Sequence, residues 1–384
     1  MNNHLFSKNM KNNLILFRAT NSVNYSFWIF AFITMFVFAG CNANKVANTK
    51  DNTKPLVIYP TPPEQARIQF LTKITSSADL GKKQSFLSKL ILGQEKAKAM
   101  VKPYGISIHK GKLYVCDQYG GGMEIIDLET RDFHFFRPGG KGMLRAPINC
   151  SVDDKGYLYV ADVGRQEIVV FDDNGNYVKC FGEKEKFKPT DVVTYQDKIF
   201  VANTAISKIN VYSADSTNKL LYSFPDVEPT DKAFLGIPAN IAVEGDRVYA
   251  ADFGYSMIKR YTIDGKFIDT IGSRGDRPGQ FSKLKGIAVD HESNIYAVDA
   301  GFDHVQIFNK DGKLLLVIGG HYQGPGDLII PAKVMIDYDN KKYFEKYVDP
   351  SYDLKYLIFV TSQYGPDLIN VYGRVDPKGV SPSK

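Results

Sequence analysis

Cysteine is scarce in this chain. There are four in 384 residues, and Cys41 ends the N-terminal segment, leaving Cys116, Cys150 and Cys180. An odd number at irregular spacing is not a disulfide framework, although one pair can form outside the cytoplasm. No C-x-x-C occurs, which excludes a zinc ribbon and covalent haem attachment. The one tryptophan, Trp28, lies near the N-terminus, and His4 is one of only six histidines. Nucleophile elbow, phosphate loop and catalytic triad spacings are all missing, which weighs against an enzyme. Long apolar runs are missing too, except FWIFAFITMFVFAG from Phe27 to Gly40, too short for a spanning helix.

That run is informative for what precedes it. Lys8, Lys11 and Arg18 come first, and no acidic residue occurs before Cys41. This is the layout of a secretory signal, residues 1–40. Ala39-Gly40 before Cys41 resembles a bacterial lipobox, with Phe38 where that motif prefers Leu. The resemblance implies lipidation at Cys41 and a membrane-anchored, extracytoplasmic lipoprotein, periplasmic or on the outer surface. Removing the signal leaves 45 basic against 42 acidic residues, so composition gives no support to a nucleic-acid partner. Residues 41–65 open with NANKVANTKDNTK, polar and aperiodic, and read as a flexible tether. Residues 376–384 read as a tail.

What is abundant is repetition. YLYVADVGRQEIVVFDDNGNYVKCFG from Tyr157, VYAADFGYSMIKRYTIDGKFIDTIG from Val248 and NIYAVDAGFDHVQIFNKDGKLLLVIGG from Asn294 are variants of one phrase. Aligned on Asp117, Asp162, Asn203, Asp252, Asp299 and Ser362, six units follow one another at intervals of 41 to 63 residues. Each holds four short alternating runs separated by turn clusters such as DDNG, which is the content of one propeller blade. The expected fold is all-β: one six-bladed propeller over 66–375, with blades near 103–137, 146–182, 188–225, 237–273, 284–319 and 331–374. The sixth unit lacks an outer strand, and ARIQFLTKI (Ala66–Ile74) is expected to supply it and close the ring. Phe86, Leu87, Leu90 and Ile91 would form the apolar face of a short helix. The Y-V-A-D, I-x-V-F and G-I-A-V-D phrases resemble NHL repeats. With PTPPEQARIQFLTKITSSADL (Pro60–Leu80), the chain resembles bacterial NHL-repeat lipoproteins. That resemblance implies work beside other envelope proteins, including c-type cytochrome systems, and no settled activity.

Because the aspartate recurs in four of the six units, Asp117, Asp162, Asp252 and Asp299 are expected to bind backbone amides, and function is sought where units differ. Where strand one begins, Gly105 and Gly286 are replaced in other units by Asn149, Asp191, Asn240 and Lys333. Asn149, Asp191 and Asn240 fall on consecutive blades around the channel mouth, where converging oxygens are the chemistry of a calcium site. Six-bladed lactonases of the gluconolactonase type are similar, so a metal-dependent lactonase or esterase-like hydrolase is the alternative reading. The plainer account is that Asn and Asp replace Gly because they tolerate positive φ. Histidine-held zinc, as in peptidyl-α-hydroxyglycine lyases, lacks a third ligand beside His304 and His321. A partner-binding face is expected where strand-two-to-three turns and blade connections emerge, with Tyr119, Arg165, Phe253, Tyr255, Phe302, Tyr364, Arg274, Arg277 and Lys333. The insertion Tyr338–Tyr356 is expected to be a self-packed hairpin on the opposite face.

Overall fold

In a computed structural model the described residues are 56–81, Leu90 and 96–379. The signal, Cys41, most of the tether, and Phe86, Leu87 and Ile91 lie outside them. Within them the chain forms six antiparallel sheets arranged as a six-bladed propeller. Blade one is β3 (Pro103–His109), β4 (Lys112–Asp117), β5 (Gly122–Asp127) and β6 (Asp132–Phe136). The innermost strands of the next five blades are β7 (Pro147–Val152), β11 (Pro189–Tyr195), β15 (Pro238–Glu244), β19 (Leu284–Val289) and β23 (Pro331–Asp337). These six touch in cyclic order and surround the central channel.

The second strand of each blade explains why the phrase recurs. Leu158–Asp162 and Ile295–Asp299 are buried at every residue, because each blade is covered on both faces by its neighbours. Apolar residues are therefore required on both sides, and alternation survives mainly in the outer strands. Between blades one and two, Cys116 and Met123 pack with Cys150, Val160, Val169 and Phe171. Both thiols are free. Burial, reinforced by a hydrogen bond with Cys150, pushes the Cys116 thiol up. Each blade connection also drops one apolar side chain into the core: Met100, Leu144, Phe187, Leu235, Phe281 or Leu328.

Closure runs through the N-terminal strand. β2 (Ile68–Ile74) pairs antiparallel with β25 (Ile369–Pro377), from Ile68↔Arg374 to Ile74↔Ile369. The sheet also starts earlier than residue 66. β1 (Ile58–Tyr59) pairs with β2 as a fifth strand, inside the stretch expected to be tether. Its anchor is Tyr59, whose hydroxyl donates to Gly326 O at 3.1 Å and whose ring lies edge-on to Tyr372. This hairpin covers an edge that would otherwise be an open template for pairing.

The insertion is only partly a hairpin. Residues 341–347 form two 3-10 turns, and Tyr352–Tyr356 lengthens the second strand of blade six, β24 (Tyr352–Ser362). Its aromatics pack onto other blades as well as onto one another. Phe344 lies edge-on to Phe359, and the Tyr356 hydroxyl donates to Asp290 Oδ2 at 2.7 Å. Gln69 joins it to β2 through Tyr347 O and Asp349 N.

Candidate binding face and channel mouth

Strand directions put the turns between second and third strands, and the connections entering each first strand, on one face. The repeated acidic residues build that face. Asp252 accepts backbone N–H bonds from Gly236, Ile237, Gly254 and Tyr255, at 2.9 to 3.3 Å. Asp117, Asp162 and Asp299 do the same in their blades. One carboxylate therefore ties the incoming connection to the adjacent turn, satisfying donors that β-pairing leaves open. Arginines add a second tie: Arg137 donates to Gly120 O and Arg274 to Gly254 O, each at 2.8 Å. Arg165 is more committed than its place in the expected binding set suggested. Its guanidinium donates to Glu167 Oε2, Lys141 O and Met143 O, and so holds a blade connection in place.

Below these turns, every first strand carries a register shift near the ring position. The positive-φ explanation of the ring fails: Asn149, Asp191, Asn240 and Lys333 are absent from the left-handed residues, and neither glycine is there either. Gly105 and Gly286 are required by the next blade. A Cβ on Gly105 would come within 2.5 Å of Asn149 Cα, and one on Gly286 within 2.6 Å of Ala332 O. The polar ring residues instead latch blades together. Asn149 Nδ2 donates to Thr190 O at 2.8 Å, Asp191 Oδ2 accepts Ile241 N at 2.8 Å, and Asn240 Oδ1 accepts Ile287 N at 2.9 Å.

Lys333 is a second correction. It is 8% exposed and belongs to the channel, not to the outer surface. From blade six its Nζ reaches across to Asp191 Oδ2 at 3.1 Å and Asn240 Oδ1 at 2.9 Å, in blades three and four. Burial pushes the Asp191 carboxyl up, while Lys333 pulls it back toward the charged form. An ammonium thus stands where two of three proposed calcium donors converge. The third, Asn149 Oδ1, is buried without a hydrogen-bond partner, as are Asp191 Oδ1 and Asn240 Nδ2. The donor set does not fit a calcium ion while Lys333 holds it, since six to eight oxygens are required. Among the described residues no His/Cys/Asp/Glu cluster offers another metal site.

Above Lys333, the mouth holds residues that reading the units one at a time did not join. Lys102 Nζ lies between the rings of Tyr119 and Tyr364, 4.9 and 5.1 Å from their centroids. Lys285 Nζ donates to Gln363 Oε1 at 2.7 Å and lies 5.8 Å from the Tyr104 ring centroid. Gln363 in turn donates to Gln118. Burial, with Lys102 and Lys283 nearby, lowers the Lys285 ammonium to about 8. Burial and then Asp191 push the Tyr104 phenol up to about 12. The Tyr-Gly and Lys-Gly dipeptides that open blades one and five were the available sequence signal.

Around the mouth the same face exposes Tyr119, Phe253, Tyr255, Phe302 and Tyr364 from its turns. Val101, Met143, Val227, Ile237 and Ile330 are exposed from its connections. Tyr255 also receives Lys259 over its ring, and Phe302 stacks on His304. Arg274 and Arg277 are exposed there. The remaining histidine of this face, His321, faces Asp303 at 3.0 Å.

No family model and no curated protein matches the sequence. Solved structures do match in fold. A gluconolactonase from Xanthomonas campestris aligns with a TM-score of 0.52 and 16% identity, over 83% of this chain and 97% of that one. Virginiamycin B lyase from Staphylococcus aureus aligns at 0.47 and 12%, over 73% and 86%. A chain of a nidogen/laminin complex aligns at 0.45 and 15%, over 58% and 83%. At these identities the likeness concerns the propeller fold. The neighbours include enzymes as well as a protein taken from a protein complex.

Proposed function

We propose that this protein is a binding scaffold of the bacterial cell envelope, an NHL-repeat lipoprotein tethered through Cys41, which recognises another envelope protein. The observation that carries the reading is that ten large apolar side chains are exposed among the turns and connections of this face, against Tyr157 and Tyr347 among those of the opposite face. Apolar and aromatic groups gathered on one surface are costly to leave in water and typical of a recognition surface. The signal-like N-terminus supports an extracytoplasmic location, and no nucleic-acid partner is proposed. A c-type cytochrome system remains the partner class that the family resemblance suggests. The hydrolase alternative needs an open cation position, and Lys333 fills that position with a side chain.

A photo-crosslinker replacing Tyr255 in the lipidated protein, compared in cells with one replacing Tyr157 on the opposite face, tests the proposal. One abundant envelope protein captured from Tyr255 alone supports it. Equal or absent capture from both positions refutes it.

A further inference from the structure

We infer that the channel mouth is a carboxylate-binding site, built to seat an acidic side chain from a polypeptide loop of the partner. This rests on the scaffold reading and adds the chemistry of what is recognised. Three lysines, Lys102, Lys283 and Lys285, gather at one mouth, and among the described residues none forms an ion pair. The carboxylates closest in the fold are already engaged: Asp117 and Asp299 accept backbone amides, including those of Lys102 and Lys283 themselves. Asp191 lies deeper and is matched by Lys333. Gathered ammonium groups without a counter-charge repel one another, and after burial that repulsion is the second cause of the lowered Lys285 pKa. Lys283 is exposed, but Lys102 and Lys285 are partly buried, and a protein has little reason to hold charge there unless an anion completes it.

The surroundings favour a carboxylate on a peptide over a bulky anion. Tyr119 and Tyr364 flank Lys102 and provide apolar walls for the stem of a glutamate or aspartate. Gln363, fixed between Lys285 and Gln118, limits the depth to which a group can enter. Val101 is exposed beside this point and gives a neighbouring residue of the loop something apolar to cover. Arg137, Lys141 and Arg145 extend the positive charge outward along the connection from blade one to blade two. An acidic loop is thus attracted as it approaches and meets a specific seat when it arrives.

The test uses the full lipidated chain in detergent and two fluorescein-labelled peptides, one rich in glutamate and one with every glutamate replaced by glutamine. Anisotropy is read for the wild type, for Lys102→Met and Lys285→Met, and for Lys155→Met on the opposite face. Selective binding of the acidic peptide, weakened at least tenfold by each mouth substitution and unchanged by Lys155→Met, is the expected result. Binding should also weaken as pH rises through about 8, where Lys285 loses its proton. Equal binding by wild type and mouth variants, or no preference for glutamate, overturns the site. Succinate that competes at the peptide's own affinity overturns the peptide assignment in favour of a free carboxylic acid. Failure here is separable from failure of the scaffold reading. Capture from Tyr255 that survives both lysine substitutions sinks only the carboxylate seat, whereas peptide binding without any captured partner sinks only the scaffold.

Discussion

The two faces of this propeller are made by the same six repeats and are chemically unlike. Tight turns held by their own side chains make up much of the opposite face. Asp153, Asp172 and Asn309 each accept the amides of residues two and four further on. Acidic groups crowd it, among them Asp154, Asp173, Asp246, Asp264 and Asp311. Only Tyr157 and Tyr347 among its described large apolar residues are exposed. On the proposed binding face, by contrast, longer connections are clamped from beneath by buried carboxylates, and each blade displays something different. Where the units agree, the chain builds architecture; where they diverge on one side only, it presents a surface.

The sharpest way to break that contrast is to disturb the channel beneath the mouth. Lys333→Met leaves Asp191 buried without its ammonium, and a stability loss of about 3–5 kcal/mol is expected by urea unfolding. The double variant Lys333→Met/Asp191→Asn should recover much of it, because neither charge then remains. A second substitution tests the third strand of blade one. Glu124 is buried, and burial followed by Asp117 raises its carboxyl to about 8. Since the unfolded chain releases that proton near the ordinary glutamate value, this contribution is full at acid pH and declines as pH rises toward 8. Glu124→Gln should therefore flatten the pH dependence of the urea midpoint between pH 5 and pH 8. The difference amounts to a few kcal/mol, because each tenfold change in proton affinity is worth about 1.4 kcal/mol. A smaller effect is expected at the surface. Tyr119→Ser with Tyr255→Ser should lower partner capture about tenfold or more with little change in unfolding. Tyr157→Ser, on the other face, should alter neither capture nor stability by more than about 0.5 kcal/mol.

Much of the fold was legible because a repeat states its register many times over. Blade number, the missing sixth outer strand and its replacement by Ala66–Ile74 all follow from alignment within the chain. The site was legible only in part, because its decisive contacts are between blades. Lys333 shares a ring position with Asn149, Asp191 and Asn240, but its reach across the channel to blades three and four is no property of local sequence. Gly105 looked like a conformational glycine and is a spatial one, required by Asn149. The mouth itself is assembled from Lys102, Tyr119, Lys285 and Tyr364, which belong to three blades.

The strand that closes the ring also sets a clock. β2 leaves the ribosome well before its partner β25, which lies some three hundred residues later in the chain. At about 5–20 residues per second, synthesis leaves β2 without its mate for roughly 15 to 60 seconds. Pairing of such distant segments is also slow in itself. During that interval the six-bladed ring cannot close, and Ile68, Leu71 and Ile74, buried in the finished protein, have no native cover. Until that last strand arrives the ring stays open, so a closed propeller certifies that both ends of its sequence have been made.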